Sequence, residues 1–219
     1  AVTDTKLKRV VVTKITDYIN GLGVSTAKSL DLEEGWLHFS ELIENCKDTR
    51  PPRIPIVLED PAMIQFTGGT TGFPKGALLT HGNLVAATFQ AGMWAAPGVY
   101  SPHTMPQQER SVLAVLPLFH VYGNIYAMNW AFFSCATQIL VPRFDIDEIL
   151  DTIVKAGHIV FFPAVPTMIT AIVNHPKAAS LDLGKYIGLL SSGGAPMPLE
   201  LIERVIDLGI IFNEGYGLS

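Results

Sequence analysis

The sequence predicts an α/β fold in which a largely parallel sheet carries helices on both faces. Three observations predict it. From residue 111 to the end of the chain, short apolar runs alternate with stretches of helical length. Those runs are nearly all apolar, as strands covered on both sides must be, and do not alternate between apolar and polar. Of the 219 residues, 48% are hydrophobic, which is ample for a core.

Taken in order, RVVVT at 9–13 is a β-branched run beside lysines and reads as a strand. The segment 31–45 contains a helical patch over 39–46. From 48 to 55 threonine, arginine and proline mark a surface connection in which the prolines bar a helix. AMIQFT at 62–67 is a short strand, and 77–79 is the strand that leaves the loop between them. Thr80 is a good cap for a helix from His81 to about Trp94, with Leu84, Ala87, Thr88 and Ala91 recurring on one face. A polar loop over 97–108 follows. Strands are then expected over 111–116, 137–141, 158–162, 187–191 and 210–213, separated by helices over 121–133, 146–155, 166–174 and 199–207. No internal repeat, low-complexity tract or long linker interrupts this pattern.

The formal charge of −5 comes without any block of like charge, which argues against a nucleic-acid partner and against a polybasic membrane patch. Cys46 and Cys135 are far apart and lack ligand neighbours, so two buried, reduced thiols are expected; a disulfide stays formally open. No secretory signal opens the chain, and the expected location is the cytoplasm. The apolar stretch over 121–141 approaches the length of a membrane span. However, Asn124, Asn129, Ser134, Thr137 and Gln138 interrupt it, and a buried helix followed by a buried strand fits better than a transmembrane segment.

The chemistry is concentrated in FTGGTTGFPKGALLT, residues 66–80. Thr67, Thr70 and Thr71 supply hydroxyls, while Gly68, Gly69 and Gly72 leave backbone N–H groups free to close around a polyanion. Lys75 brings a full charge, aimed by Pro74. This is not the ordinary nucleotide P-loop, which has glycine before its lysine and Ser or Thr after it. The bland alternative is a glycine-threonine turn with one solvated lysine.

TGGTTGFPKG resembles the phosphate-binding signature of the AMP-forming adenylating enzymes, the family of acyl-CoA synthetases, luciferases and peptide-synthetase adenylation domains. The resemblance implies that this loop holds the β- and γ-phosphates of ATP while a carboxylate attacks the α-phosphorus. LPLFHVYG at 116–123 is similar to the family motif whose histidine, here His120, lies near the carboxylate and lines the acyl pocket. FPAVPT at 162–167 would border the acyl tunnel, with Ala164 where the family more often has glycine. SSGGAP at 191–196 resembles the adenine turn, implying nucleotide contacts at Gly193, Gly194, Ala195 and Pro196. NEGYGLS at 213–219 resembles the second nucleotide motif, implying contacts at Glu214, Gly215, Tyr216, Gly217 and Ser219, with Tyr216 stacking on the adenine.

By the same resemblance Lys75 and His120 are the catalytic residues. Thr67 is the one Mg²⁺ ligand expected in the chain. ATP, Mg²⁺ and CoA are the expected cofactor and co-substrates. The whole of 1–219 corresponds to the central part of the AMP-binding N-terminal domain of the acyl-CoA synthetase-like fold. The ribose-binding aspartate, hinge and C-terminal domain with its lysine are expected outside it, so this piece alone is expected to be inactive. The Thr-Gly-Gly loop followed by GALLTHGNLVA is most similar to long-chain fatty acid–CoA ligases. Medium-chain and aryl acid ligases share the loops, and a non-catalytic nucleotide-binding module is the alternative from another class. Peripheral membrane association through a surface that takes up the acyl chain stays open.

Overall fold

A computed structural model describes residues 9–13, 35–67, 74–95 and 105–218. The chain divides at the proline-containing connection into two compact units, Ala1–Pro55 and Ile56–Ser219. In the first, β1 (Val10–Val12) pairs in parallel with β2 (Trp36–His38), and β2 runs directly into the short helix α1 (Phe39–Glu44). None of its described residues is buried. Cys46 follows α1, and its exposed thiol donates to the Asp48 carbonyl at 3.1 Å.

The second unit opens with an antiparallel hairpin, β3 (Pro61–Thr67) and β4 (Lys75–Thr80). Helix α2 (His81–Ala95) follows at once. Its start is fixed reciprocally: Asn83 N–H donates to Thr80 Oγ1 at 3.2 Å, and Thr80 N–H donates to Asn83 Oδ1 at 3.0 Å. That is the capping role the sequence assigns to Thr80.

The five-stranded sheet is parallel throughout, with spatial order β6-β5-β7-β8-β9. Its strands are β5 (Ser111–Ala114), β6 (Thr137–Leu140), β7 (Ile159–Ala164), β8 (Ile187–Ser192) and β9 (Ile211–Glu214). The connecting helices are α3 (Trp130–Phe133), α4 (Ile146–Ala156), α5 (Pro166–Asn174), α6 (Pro176–Ser180), α7 (Leu183–Tyr186) and α8 (Leu199–Asp207). Every residue of β5, β7 and β8 is buried. The strand over 137–141, expected to be buried, is instead an edge strand with Leu140 63% exposed, because the chain steps outward from β5 to β6 before turning back.

That reversal also distributes the helices. Crossovers between parallel strands are right-handed, so a change of direction moves the connecting helix to the opposite face. The step from β5 to β6 puts Ile125, Ala127, Trp130 and Ala131 with Val112, Ala114, Phe161 and Leu189 on one face, joined by Ala91 of α2. The steps from β6 to β9 all run the other way. They place α4, α5 and α8 against Leu113, Phe162 and Leu190 on the other face, through Ile149, Ile153, Ile169, Ile172 and Val205.

The helix expected over 121–133 departs from α geometry: Gly123–Asn129 is a π-helix that passes into α3. With i→i+5 bonding, side chains five apart meet, and Asn129 Nδ2 donates to Asn124 Oδ1 at 3.0 Å. Gln138 Nε2, from β6, supports the same turn by donating to Met128 O at 3.0 Å. Beyond α3 the chain turns through Cys135 at a φ of 51°, and its thiol is exposed. Both cysteines are therefore free and exposed, against the expectation of buried thiols, because each sits in a turn outside the helix–sheet layers. No helix among the described residues is long and apolar enough to cross a membrane.

Candidate active site

The chain runs β5, β6, β7, but β5 lies between β6 and β7 in space. Strand order thus reverses at the β5/β7 boundary, and in such sheets ligands bind beyond the carboxyl ends of the strands at the reversal. Four motifs singled out in the sequence leave the sheet at its carboxyl edge, after β5, β7, β8 and β9.

After β5 the chain turns through Pro117 to His120, where His120 N–H donates to Pro117 O at 3.1 Å and Asn124 N–H donates to His120 O at 2.8 Å. The His120 side chain is exposed, and its Nδ1 accepts the Tyr122 N–H at 3.2 Å. An acceptor Nδ1 fixes the neutral ring as the tautomer protonated on Nε2, leaving Nε2–H to donate outward. Tyr122 turns inward. Its hydroxyl donates to Ser191 O at 3.2 Å, with Ser191 Oγ at 3.4 Å, and burial pushes the phenol up to about 12, so it stays a donor.

The turn after β8 is held from several sides. Gly193 N–H donates to Ala164 O at 3.2 Å, joining the ends of β7 and β8. Gly215 N–H donates to Ser192 O at 2.8 Å, and Met197 N–H donates to Glu214 Oε1 at 2.9 Å, joining the ends of β8 and β9. A Cβ on Gly193 would lie 3.1 Å from the Tyr122 ring, which would have to give by a few tenths of an ångström, and Gly194 has a φ of +83°, a conformation that favours glycine. Gly194, Ala195 and Pro196 are exposed, as are Gly215 and Gly217. The ring of Tyr216 is 91% exposed, with both faces open to a flat partner.

The stem of the phosphate loop is closed: Thr67 and Lys75 are register partners, and Thr67 Oγ1 donates to Lys75 O at 3.3 Å. Lys75 is exposed at the start of β4. Gly68, Gly69, Thr70, Thr71 and Gly72 lie outside the described residues, as does Ser219. The His120 segment, the Gly193 turn and the Glu214–Gly215 segment are brought together; among the described residues, no hydrogen bond ties Thr67 or Lys75 to them. No cluster of three His, Cys, Asp or Glu side chains suited to a metal occurs among the described residues. Mg²⁺ keeps much of its shell as water and phosphate oxygens, so one hydroxyl, with its lone pairs free after donation to Lys75 O, suits it.

Tyr122 and Ser191 are the site residues that sequence reasoning missed. Both lie inside motifs it quoted, but nothing local says that a phenol after β5 reaches a serine after β8. A cavity of about 340 Å³ lies between α2 and the π-helix, bordered by Leu84, Thr88, Phe89, Asn129 and Phe133.

Solved structures share this fold, and curated sequences are similar to the chain. A 27% identical structure, the inhibitor-bound N-terminal domain of FACL13 from Mycobacterium tuberculosis, superposes with a TM-score of 0.71 over 84% of this chain and 44% of that one. ATP-bound MatB from Rhodopseudomonas palustris, 27% identical, gives 0.61 over 75% of this chain and 30% of that one. In sequence, a feruloyl-CoA synthase from Amycolatopsis is 36% identical over 78% of this chain and 33% of its own length. A long-chain-fatty-acid–CoA ligase from Bacillus subtilis is 37% identical over 73% of this chain and 27% of its own length. The chain thus spans about a third of the length of the curated relatives it matches, from 27% to 37%. Residues 2–219 match the family profile described as AMP-binding enzyme, and the chain belongs to that family.

Proposed function

We propose that the protein carrying this chain is an AMP-forming acid–CoA ligase. It activates a carboxylic acid with ATP and passes the acyl group to CoA. The observation that carries the reading is the set of hydrogen bonds joining the His120 segment, the Gly193 turn and Glu214–Gly215 along the carboxyl edge of the sheet, beside the strand reversal. In the first half-reaction a carboxylate oxygen attacks the α-phosphorus, forming a new P–O bond as the bond to pyrophosphate breaks. His120 Nε2–H orients the carboxylate. Lys75 and the loop donors hold the departing pyrophosphate charge. The Gly193–Pro196 turn and Tyr216 hold the adenine, with Glu214, Gly215 and Gly217 shaping its slot. Thr67 would contribute one ligand to Mg²⁺, which neutralises phosphate charge when bound. The CoA sulfur then attacks the acyl carbonyl carbon and AMP leaves.

We assign 1–219 to the central part of the AMP-binding N-terminal domain and place the small C-terminal domain elsewhere in the full-length protein. The finer reading of the acid as a long-chain fatty acid rests on the form of the phosphate loop and on the fatty-acid relative. An aryl acid is the second reading, favoured by the feruloyl relative and by the aromatic wall Tyr122–Tyr126–Phe161 behind the site.

Acid-dependent ATP–pyrophosphate exchange by the full-length protein, with hexadecanoic, octanoic and 4-coumaric acids, tests both levels. Exchange with one of them and CoA-dependent AMP release are expected, and the preferred acid chooses between the readings. Tight ATP binding with no exchange on any carboxylic acid would leave a nucleotide-binding module instead.

A further inference from the structure

We infer that Tyr122 is a positioning residue that couples the histidine segment to the glycine turn, so that acid and nucleotide each tighten the binding of the other. The inference rests on the function proposed above.

Tyr122 reaches both halves of the site. Its backbone N–H donates to His120 Nδ1 at 3.2 Å, which sets both the orientation of the imidazole and its tautomer. Its hydroxyl donates to the Ser191 carbonyl at 3.2 Å, immediately before the turn expected to hold the adenine. The ring closes the remaining gap, since a Cβ on Gly193 would meet Cε1 and Cζ at 3.1 Å. Neither half can shift without moving this residue.

Two contacts stop Tyr122 from yielding. Behind it, Tyr126 packs edge-on with ring centroids 5.4 Å apart, and Tyr126 rests in turn on Phe161 at 6.4 Å. Beside it, Gly123 is so close to the loop bearing His120 that a Cβ there would lie 2.4 Å from Pro117 O. The segment from Pro117 to Gly123 and the turn from Ser191 to Gly193 therefore move as one body. An acid that fixes His120 also fixes the turn, and linkage requires a nucleotide on the turn to favour the acid by the same factor.

The test uses the full-length protein, with α,β-methylene-ATP as the nucleotide probe and an acid that supports exchange in the wild type. Calorimetric titration gives the probe affinity with and without the acid, and the ratio is the coupling. Tyr122→Phe keeps the ring and loses the hydroxyl, and the ratio is expected to fall by about three- to tenfold, the range for one lost hydrogen bond. Tyr186→Phe, on α7 and packed against the core on the other face of the sheet, is the control, expected to keep the wild-type ratio. A role confined to stability would lower the melting temperature and weaken the probe equally with and without acid, leaving the ratio unchanged. That result overturns the coupling, as does a wild type that exchanges normally yet shows a ratio of one. A wild type that exchanges with no acid refutes the proposed function and the coupling together.

Discussion

The two edges of the parallel sheet are built from similar polar side chains and use them differently. At the amino edge the polar groups are committed to the fold. Arg110 donates from Nε and Nη2 to Met105 O at 2.9 and 2.7 Å, and from Nη1 to Ser134 O at 2.8 Å. Ser111 Oγ donates to His158 O at 2.7 Å and accepts the Val160 N–H at 3.3 Å, locking β5 to β7. At the carboxyl edge, hydrogen bonds only fix the turns, and His120 Nε2, the Tyr216 ring and the exposed part of the glycine turn are left facing outward. The difference teaches that the two edges are told apart by how their polar groups are committed and not by the size of the hollows in the molecule. The hollow at the amino edge, about 610 Å³, is larger than the 340 Å³ cavity beside α2, yet Arg110 on its wall already has its partners.

Three experiments break or sharpen this contrast. The largest effect is expected at Lys75, which the fold does not need. Lys75→Ala should lower pyrophosphate exchange by about 10²–10³-fold, the typical loss for one transition-state charge donor, with the melting temperature nearly unchanged. Steady-state exchange and thermal melts measure the two; a large stability loss with normal exchange would reverse the assignment. Arg110→Met should behave oppositely. Removing hydrogen bonds from a charged donor costs about 2–3 kcal/mol of stability, and the folded fraction should keep its KM for ATP. Urea unfolding with parallel kinetics checks it.

The smallest effect concerns pH. Tyr122 is raised from 10.0 to about 12 by burial, so between these values the unfolded chain has lost a proton that the folded chain keeps. Stability contributed by the neutral phenol is fully present below about pH 10 and falls as pH rises toward 12, by on the order of 2 kcal/mol. Denaturant midpoints across that range should slope downward less steeply in Tyr122→Phe.

How much of this was legible in the sequence follows from the range of each interaction. The alternation of elements was legible because apolar runs and caps are local signals: α5 and α8 begin and end where the pattern puts them, and Thr80 caps α2 as expected. The short helices α6 and α7 were missed because each is barely a turn long and leaves almost no periodicity. The π-helix was read as α because its i→i+5 spacing differs from the helical period by one residue per turn, and only the Asn124–Asn129 bond betrays it. In the site, His120, Gly193 and Glu214 stood out because their motifs are contiguous. Tyr122 did not, since its function depends on Ser191, 69 residues away, and strand order had to be known first.

The reversal of strand order has a further consequence, for how such a protein can change over time. The exposed residues of the segments near it, His120, Ala195 and Tyr216 among them, lie beyond the ladder of the sheet and can be exchanged without disturbing the buried layers. What binds at that edge can therefore drift while the framework is inherited intact.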